Sequence, residues 1–262
     1  MLAPDVKRLI YTLIKNTDPS LRSDFVDQKG GGCALLLHGE PGLGKTITAE
    51  AVAETLGRPL YTVTVGELGT HVEALEKSLS RALGIAERWN AVVLLDEADI
   101  FLEARSVDSV ERNAMVSTFL RLLEYYNGVL ILTTNRVHEI DPAILARISL
   151  PVLYPNFDTA AREQVIRNLM PVLGIELDDA TIAKYAARNV NGRLIKNSLR
   201  SAAALARSVD ASPAELAEMG HAILDRHEQF VAFLNARRDS PVPAAAAREA
   251  SREPTGPFST LA

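Results

Sequence analysis

One cysteine, Cys33, stands among the 262 residues. An internal disulfide framework is therefore excluded, and Cys33, inside an apolar run, reads as a small core residue. Five histidines are scattered along the chain and, with one cysteine, offer no zinc-ligand spacing. No run reaches the roughly 18 apolar residues of a membrane-spanning helix. The N-terminal stretch MLAPDVKRLIYTLIKN carries charges inside its apolar pattern, unlike a secretory signal. A reducing, cytoplasmic setting is the expectation. Net positive charge is lacking too: 28 Lys and Arg against 33 Asp and Glu leave −5. No overall basic field draws in nucleic acid or an anionic membrane, and no aromatic-basic stripe does so locally. Internal repeats are absent. The length allows one large domain or a large one with a small companion.

What is present is an alternation. Val6, Leu9, Ile10, Leu13 and Ile14 recur at helical spacing over residues 4–16, with Pro4 in the first turn. A connector, NTDPSLRSDFVDQKGGG, follows. CALLLH then reads as a buried strand, and KTITAEAVAETLG as a helix stopped by Gly57. PLYTVTV is a strand. THVEALEKSLSRALGIAERWN is a helix with Thr70 as its expected N-cap. AVVLLDEAD is a buried strand ending in acids, and VERNAMVSTFLRLLEYYNG a helix closed by Asn127-Gly128. VLILTTN, the short helix DPAILARI and the strand LPVLYP complete the series. Five apolar strands with four helices between them predict an α/β core with a parallel sheet. After Pro155 only helices are expected, starting at Asp158, Asp178, Asn191 and Ser212. The division is thus 1–19 for the N-terminal helix and linker and 20–156 for the α/β core. Residues 157–237 form a small all-α lid, and 238–262 a disordered tail rich in Pro, Ala, Ser and Arg.

Three polar signals fall at strand carboxyl ends, where ligands of such sheets bind. HGEPGLGKT fits G-x-x-x-x-G-K-[ST], with Gly39, Gly44, Lys45 and Thr46 in register. Glu40, Pro41, Gly42 and Leu43 complete the loop. Its glycines let backbone N–H groups turn toward an anion, and the next helix aims its positive end there. Lys45 adds charge for the β- and γ-phosphates of ATP, and Thr46 a hydroxyl for Mg²⁺. Asp96 and Glu97 end a strand, suited to holding Mg²⁺ through water and to polarising an attacking water. The bland alternative, a helix N-cap, loses weight beside a phosphate loop. Asn135 ends the next strand, either as a turn residue or as the amide that positions water. Arg147 follows a short helix. It is either a solvated helix-end cation or an arginine that enters a neighbouring subunit's site.

These motifs, in this order and followed by a helical lid, resemble the AAA+ ATPase family over about residues 20–235. WNAVVLLDEADIFLEARS and ERNAMVSTFLRLLEYYNGVLILTTNRV resemble a group within it that is well represented in fungi. The resemblance implies an ATP site between subunits of a homo-oligomeric ring, often a hexamer, that remodels a protein partner. It implies that Lys45 and Thr46 bind phosphate and Mg²⁺ and that Asp96 and Glu97 are the Walker B pair. Asn135 becomes sensor 1, Arg147 the arginine finger, and Arg193, at the start of a lid helix, the sensor-2 arginine.

The departures are informative. Glu40 stands where the family usually has proline, an acid beside an anion site unless it turns outward. Arg147 has no second arginine in an R-x-x-R-F pattern; Arg105, Arg112 and Arg136 are further candidates for subunit contacts. The loop from Val65 to His71, which usually faces a central pore, lacks an aromatic residue. Leu68 is left to stand in for one, and Glu67 opposes an acidic substrate. Phe25 and Val26 are weak candidates for the adenine contact. Against a hydrolysing remodeller stand a nucleotide-gated scaffold, a nucleic-acid machine and a small-molecule kinase. The full set Lys45, Thr46, Asp96, Glu97, Asn135 and Arg147 favours hydrolysis.

Overall fold

The computed structural model describes residues 2–15, 32–69, 71–103, 110–136 and 140–239. Strands β1 (Cys33–Gly39), β2 (Leu60–Thr64), β3 (Val92–Asp96), β4 (Val129–Thr134) and β5 (Leu150–Tyr154) form one sheet in the order β2-β3-β4-β1-β5. All four pairings are parallel. The central strands read as unbroken apolar runs because helices cover both faces. Their alternating side chains feed two separate cores. Leu36, Val93, Leu95, Leu130 and Leu132 enter one. Leu35, Leu37, Val92, Leu94, Val129 and Ile131 enter the other.

On the first face lie α4 (Val72–Trp89) and α6 (Val110–Tyr125), whose Phe119 stacks on Phe101 at 5.3 Å. On the second lie α1 (Pro4–Lys15) and α2 (Lys45–Leu56), the latter closed by Gly57 in the left-handed region. Ile10 and Ile14 of α1 are buried, but Leu9 is 52% exposed, one step off the packed face. Two single-turn helices, α3 (Val65–Leu68) and α5 (Asp99–Leu102), join the four expected between strands, α7 (Pro142–Leu145) being the last. One turn carries too few residues to show a helical period. The backbone N–H of Thr64 donates to the Glu67 carboxylate at 3.0 Å, which starts α3 and ends β2 one residue before Val65. Leu68, expected to stand in for a pore-facing aromatic, is 1% exposed and packs in the first core.

α4 begins after His71, and Thr70, its expected cap, lies outside the described residues. So do the connector over 16–31 with Phe25 and Val26, Arg105, and the tail from 240. α6 ends at Tyr125, and neither Asn127 nor Gly128 takes a positive φ to close it. Gly128 is needed for room instead: a Cβ there would meet the Tyr126 hydroxyl at 2.2 Å.

Beyond β5 the described residues are helical: α8 (Thr159–Leu173), α9 (Asp179–Ala186), α10 (Gly192–Ser208) and α11 (Pro213–Asp239). Asp158, Asp178 and Asn191 accept from the N–H groups of Ala161, Thr181 and Leu194, capping the first three. Ser212 and Glu215 form the reciprocal cap of α11. These helices enclose a third core around Tyr185, Leu199 and Leu224. Arg162, buried on α8, donates to the carbonyls of Ala186 and Phe157 at 2.6 and 2.5 Å, tying the helices to the end of the sheet segment.

Gly220 admits Tyr185 to this third core, since a Cβ at Gly220 would lie 1.5 Å from the Tyr185 hydroxyl. Gly220→Ala is expected to cost roughly 1–3 kcal/mol of stability. Tyr185→Phe in the same chain should recover part of that loss. Urea denaturation of the two single variants and the double variant reads the coupling. Strictly additive costs would show that the close approach is not the source.

Candidate functional site

The phosphate loop runs from the end of β1 into α2. Gly42 and Gly44 have φ of 82° and 98°, which only glycine adopts without strain. The first turn of α2 holds no acid, so its N–H groups and positive end stay open to an anion. Lys45 is 8% exposed, and its ammonium donates to the carbonyls of Gly39 at 2.6 Å and Glu40 at 2.9 Å. Its third bond goes to the side-chain oxygen of Asn135 at 2.7 Å. Burial holds the Lys45 amine below its usual pKa, and Asp96, Asp99 and Glu97 pull it back up. A bound phosphate would offset the same desolvation. Glu40 itself is exposed and off the wall of the cleft, so only its carbonyl faces the site.

Strand β3 delivers the acids. The Thr46 hydroxyl lies 3.3 and 3.2 Å from the two carboxylate oxygens of Asp96. Glu97 follows with φ 56°, in the left-handed region, and its side chain is exposed to the cleft. Thr133, 1% exposed on β4, donates to Asp96 at 2.5 Å and accepts from the Glu97 N–H at 2.9 Å. Asp99 accepts from the Thr134 hydroxyl and from the Asn135 N–H, the latter at 3.2 Å. Neither Thr133 nor Asp99 is singled out by motif. Each becomes visible only once β3 and β4 are known to be neighbours.

These groups border a cleft of about 1090 Å³. Lys45, Thr46, Asp96, Glu97, Asn135 and Arg193 all line it. Pro41, Gly42, Leu43 and Gly44 form its loop wall. Lys7, Ile10, Tyr11 and Ile14 of α1 close one side, a role that helical spacing alone did not reveal. The start of α10 touches the loop: a Cβ at Gly42 would meet the Arg193 Cβ at 2.9 Å, and one at Gly192 the Gly42 carbonyl at 2.9 Å. Tyr154 donates to the Thr48 hydroxyl at 2.7 Å, and burial pushes its phenol up to about 12. The oxygen donors of Thr46 and Asp96 suit a hard dication such as Mg²⁺. Among the described residues no group of three His, Cys, Asp or Glu could hold a metal ion, so such an ion would share phosphate oxygens.

Arg147 stands apart. It does not line this cleft. Its guanidinium donates to the Ala143 carbonyl at 3.0 Å and pairs with Glu124 at 3.2 Å. Arg112 pairs with Glu103 at 2.9 Å, and Arg136 is exposed. The Arg147 and Glu124 side chains remain 33% and 31% exposed, so the pair is cheap to exchange. A double-mutant cycle with Glu124→Ala and Arg147→Ala, read by urea denaturation, should give a coupling below about 1 kcal/mol. A coupling of several kcal/mol would mean that Arg147 is locked.

Residues 35–155 match the family model described as "ATPase family associated with various cellular activities (AAA)". Spastin of Naegleria gruberi is 31% identical over 178 residues, 63% of this chain and 34% of that protein. The Arabidopsis thaliana "ATPase family AAA domain-containing protein FIGL1" is 30% identical over 211 residues, 73% and 31% of the two chains. The chain thus spans about a third of the length of these relatives. Its fold is similar to that of the FIGL-1 AAA domain solved in complex with ADP. The TM-score is 0.64 at 19% identity, over 85% of this chain and 82% of that one. At that identity the likeness carries the fold alone. No described helix is long and apolar enough to cross a membrane. With its phosphate loop, its acids at the end of β3 and its asparagine at the end of β4 in one cleft, the segment 35–155 is the nucleotide-binding module of the AAA family of ATPases.

Proposed function

We propose that this chain hydrolyses ATP as one subunit of a homo-oligomeric ring, hexameric in the form we favour, and couples turnover to remodelling of a protein partner. One observation carries this reading. Lys45, Thr46, Asp96, Glu97 and Asn135 meet in a single cleft, while Arg147 does not line it and is bonded to Ala143 and Glu124. Every hydrolytic group but one is supplied in cis. We take the setting to be cytoplasmic, and the wording of residues 89–137 to reflect a group well represented in fungi. A net charge of −5 speaks against a nucleic-acid machine.

The roles we propose are these. Lys45 and the first turn of α2 grip the β- and γ-phosphates. Thr46 and, through water, Asp96 would hold Mg²⁺, which supplies neutralising charge between the phosphates. Glu97 takes a proton from the attacking water, and Asn135 orients that water. Arg193 reaches the γ-phosphate from the lid. Arg147 of the adjacent subunit stabilises the charge that develops in the transition state. Loss of the γ-phosphate frees Arg193, and the lid shifts against the sheet. A nucleotide-gated scaffold is the second reading. It is favoured by the Arg147–Glu124 pair, which leaves a lone chain without a finger.

ATP turnover per chain, measured against protein concentration, separates the two. Specific activity is expected to rise with concentration in the wild type. Arg147→Ala should still bind ATP and lose about 10³-fold or more in turnover. Full turnover by Arg147→Ala at saturating concentration would remove it as the finger. Turnover absent at every concentration would leave the scaffold.

Two further variants test the site itself. Lys45→Ala is expected to weaken ADP binding by roughly tenfold or more, read by calorimetry. Glu97→Gln should bind ATP and stall, and wild-type turnover there would exclude Glu97 as the base.

A further inference from the structure

We infer that Thr133 is a positioning residue of this site, fixing both Asp96 and Glu97 through one hydroxyl. The inference rests on the hydrolytic reading above and names the group that makes its two acids act together. β3 and β4 are paired in register up to Leu95 and Leu132, so Asp96 and Thr133 come next to each other at the carboxyl ends. Thr133 is 1% exposed, its hydroxyl shielded from bulk water. A threonine hydroxyl has one proton and two lone pairs. The proton goes to Asp96 Oδ1 at 2.5 Å, and a lone pair accepts the Glu97 N–H at 2.9 Å. The Thr133 carbonyl takes the next amide, Ala98 N–H, at 2.9 Å. Residues 96–98 are therefore held from β4 by three hydrogen bonds.

That hold has a visible consequence. Glu97 sits at φ 56°, a conformation that side chains other than glycine rarely adopt. Such a residue persists only where its surroundings over-determine it. The hydroxyl of Thr133, at the wall of the same cleft, provides this hold. With its backbone turned left-handed, Glu97 lines the cleft while Asp96 stays beside Thr46. The acid that polarises water and the acid beside the metal position are thereby set relative to each other. Without the hydroxyl, the Glu97 amide and one Asp96 oxygen lose their shared partner, and the spacing of the two carboxylates is no longer fixed. Thr133 borders the cleft, but its hydroxyl is spent on Asp96 and Glu97, and in this scheme it acts through them.

Two substitutions separate the hydroxyl from the shape. Thr133→Val keeps the volume and removes both bonds; Thr133→Ser keeps the bonds. Thr133→Val is expected to lower kcat by about tenfold or more, with KM for ATP and ADP affinity within about twofold of wild type. Thr133→Ser should recover most of the rate. Amide hydrogen exchange at Glu97 reads the same hydrogen bond without turnover: protection should fall about tenfold in Thr133→Val and return in Thr133→Ser. The inference is overturned by Glu97 protection unchanged in Thr133→Val, by wild-type kcat in that variant, or by Thr133→Ser as slow as Thr133→Val. Glu97→Gln, run alongside, keeps the two levels apart. Wild-type turnover there removes Glu97 as the base, and turnover absent from the wild type at every concentration removes the hydrolytic reading, while the exchange measurement still decides for or against Thr133.

Discussion

A lysine ammonium that is 8% exposed imposes a strict demand on whatever surrounds it. Its three protons need acceptors, and its charge needs compensation for lost water. Here the acceptors come from Gly39 at the end of β1, Glu40 in the loop and Asn135 at the end of β4. The compensating carboxylates, Asp96 and Asp99, come from the end of β3 and the turn after it. The demand can be met only if β1, β4 and β3 lie side by side and end at one level, as the strand order provides. Sheet topology and site chemistry are thus one constraint. The ammonium has three acceptors here, so on the proposed reading a phosphate displaces one of them rather than filling a vacancy. Asn135 is the exchangeable one, since the two carbonyls belong to the loop backbone.

How much of this could be read from the residues depends on how local each feature is. The phosphate loop, the acids after VVLL and the helix caps Asp158, Asp178 and Asn191 are signalled within a few residues, and the structure holds them where the pattern puts them. Asn135 was legible as a strand-end polar residue, but its bond to Lys45 spans ninety positions. Thr133 was not legible at all. In sequence it is one more β-branched residue in a strand, and it gains meaning only from lying across from Asp96. Leu9 and Leu68 fail in opposite directions, for one reason. Spacing says that a residue is apolar on a helix or loop, not which face its neighbours cover. The orientation of Glu40 needed the backbone path of the loop, which turns its carbonyl inward and its carboxylate out.

The lid is joined to this chemistry by an absence of side chains. Gly42 in the loop and Gly192 at the first turn of α10 approach so closely that a Cβ on either would collide with the other segment. Asn191, which caps α10, and Arg193, which lines the cleft, flank that contact. Nothing compressible lies between the phosphate loop and the helix. On the proposed reading, a change in loop curvature displaces the start of α10 directly, and the packed third core carries the displacement as a body. Arg162 restrains the other end of this lever, bonding the segment after β5 to the end of α9. The helical part is thus tied to the sheet segment at two points.

The proposed finger poses the opposite problem, since Arg147 must be stable where it is and yet available elsewhere. A guanidinium left bare in an isolated subunit would be solvated at little cost, but its orientation would be lost. The partly exposed Glu124 gives it a fixed direction through a bond that solvent already weakens. A phosphate carrying more negative charge than a single carboxylate, in the drier boundary between two subunits, is the stronger partner. On the proposed reading, association does not create the finger. It exchanges one anion for another, and the difference between a wet carboxylate and a desolvated phosphate is what makes turnover depend on a neighbour.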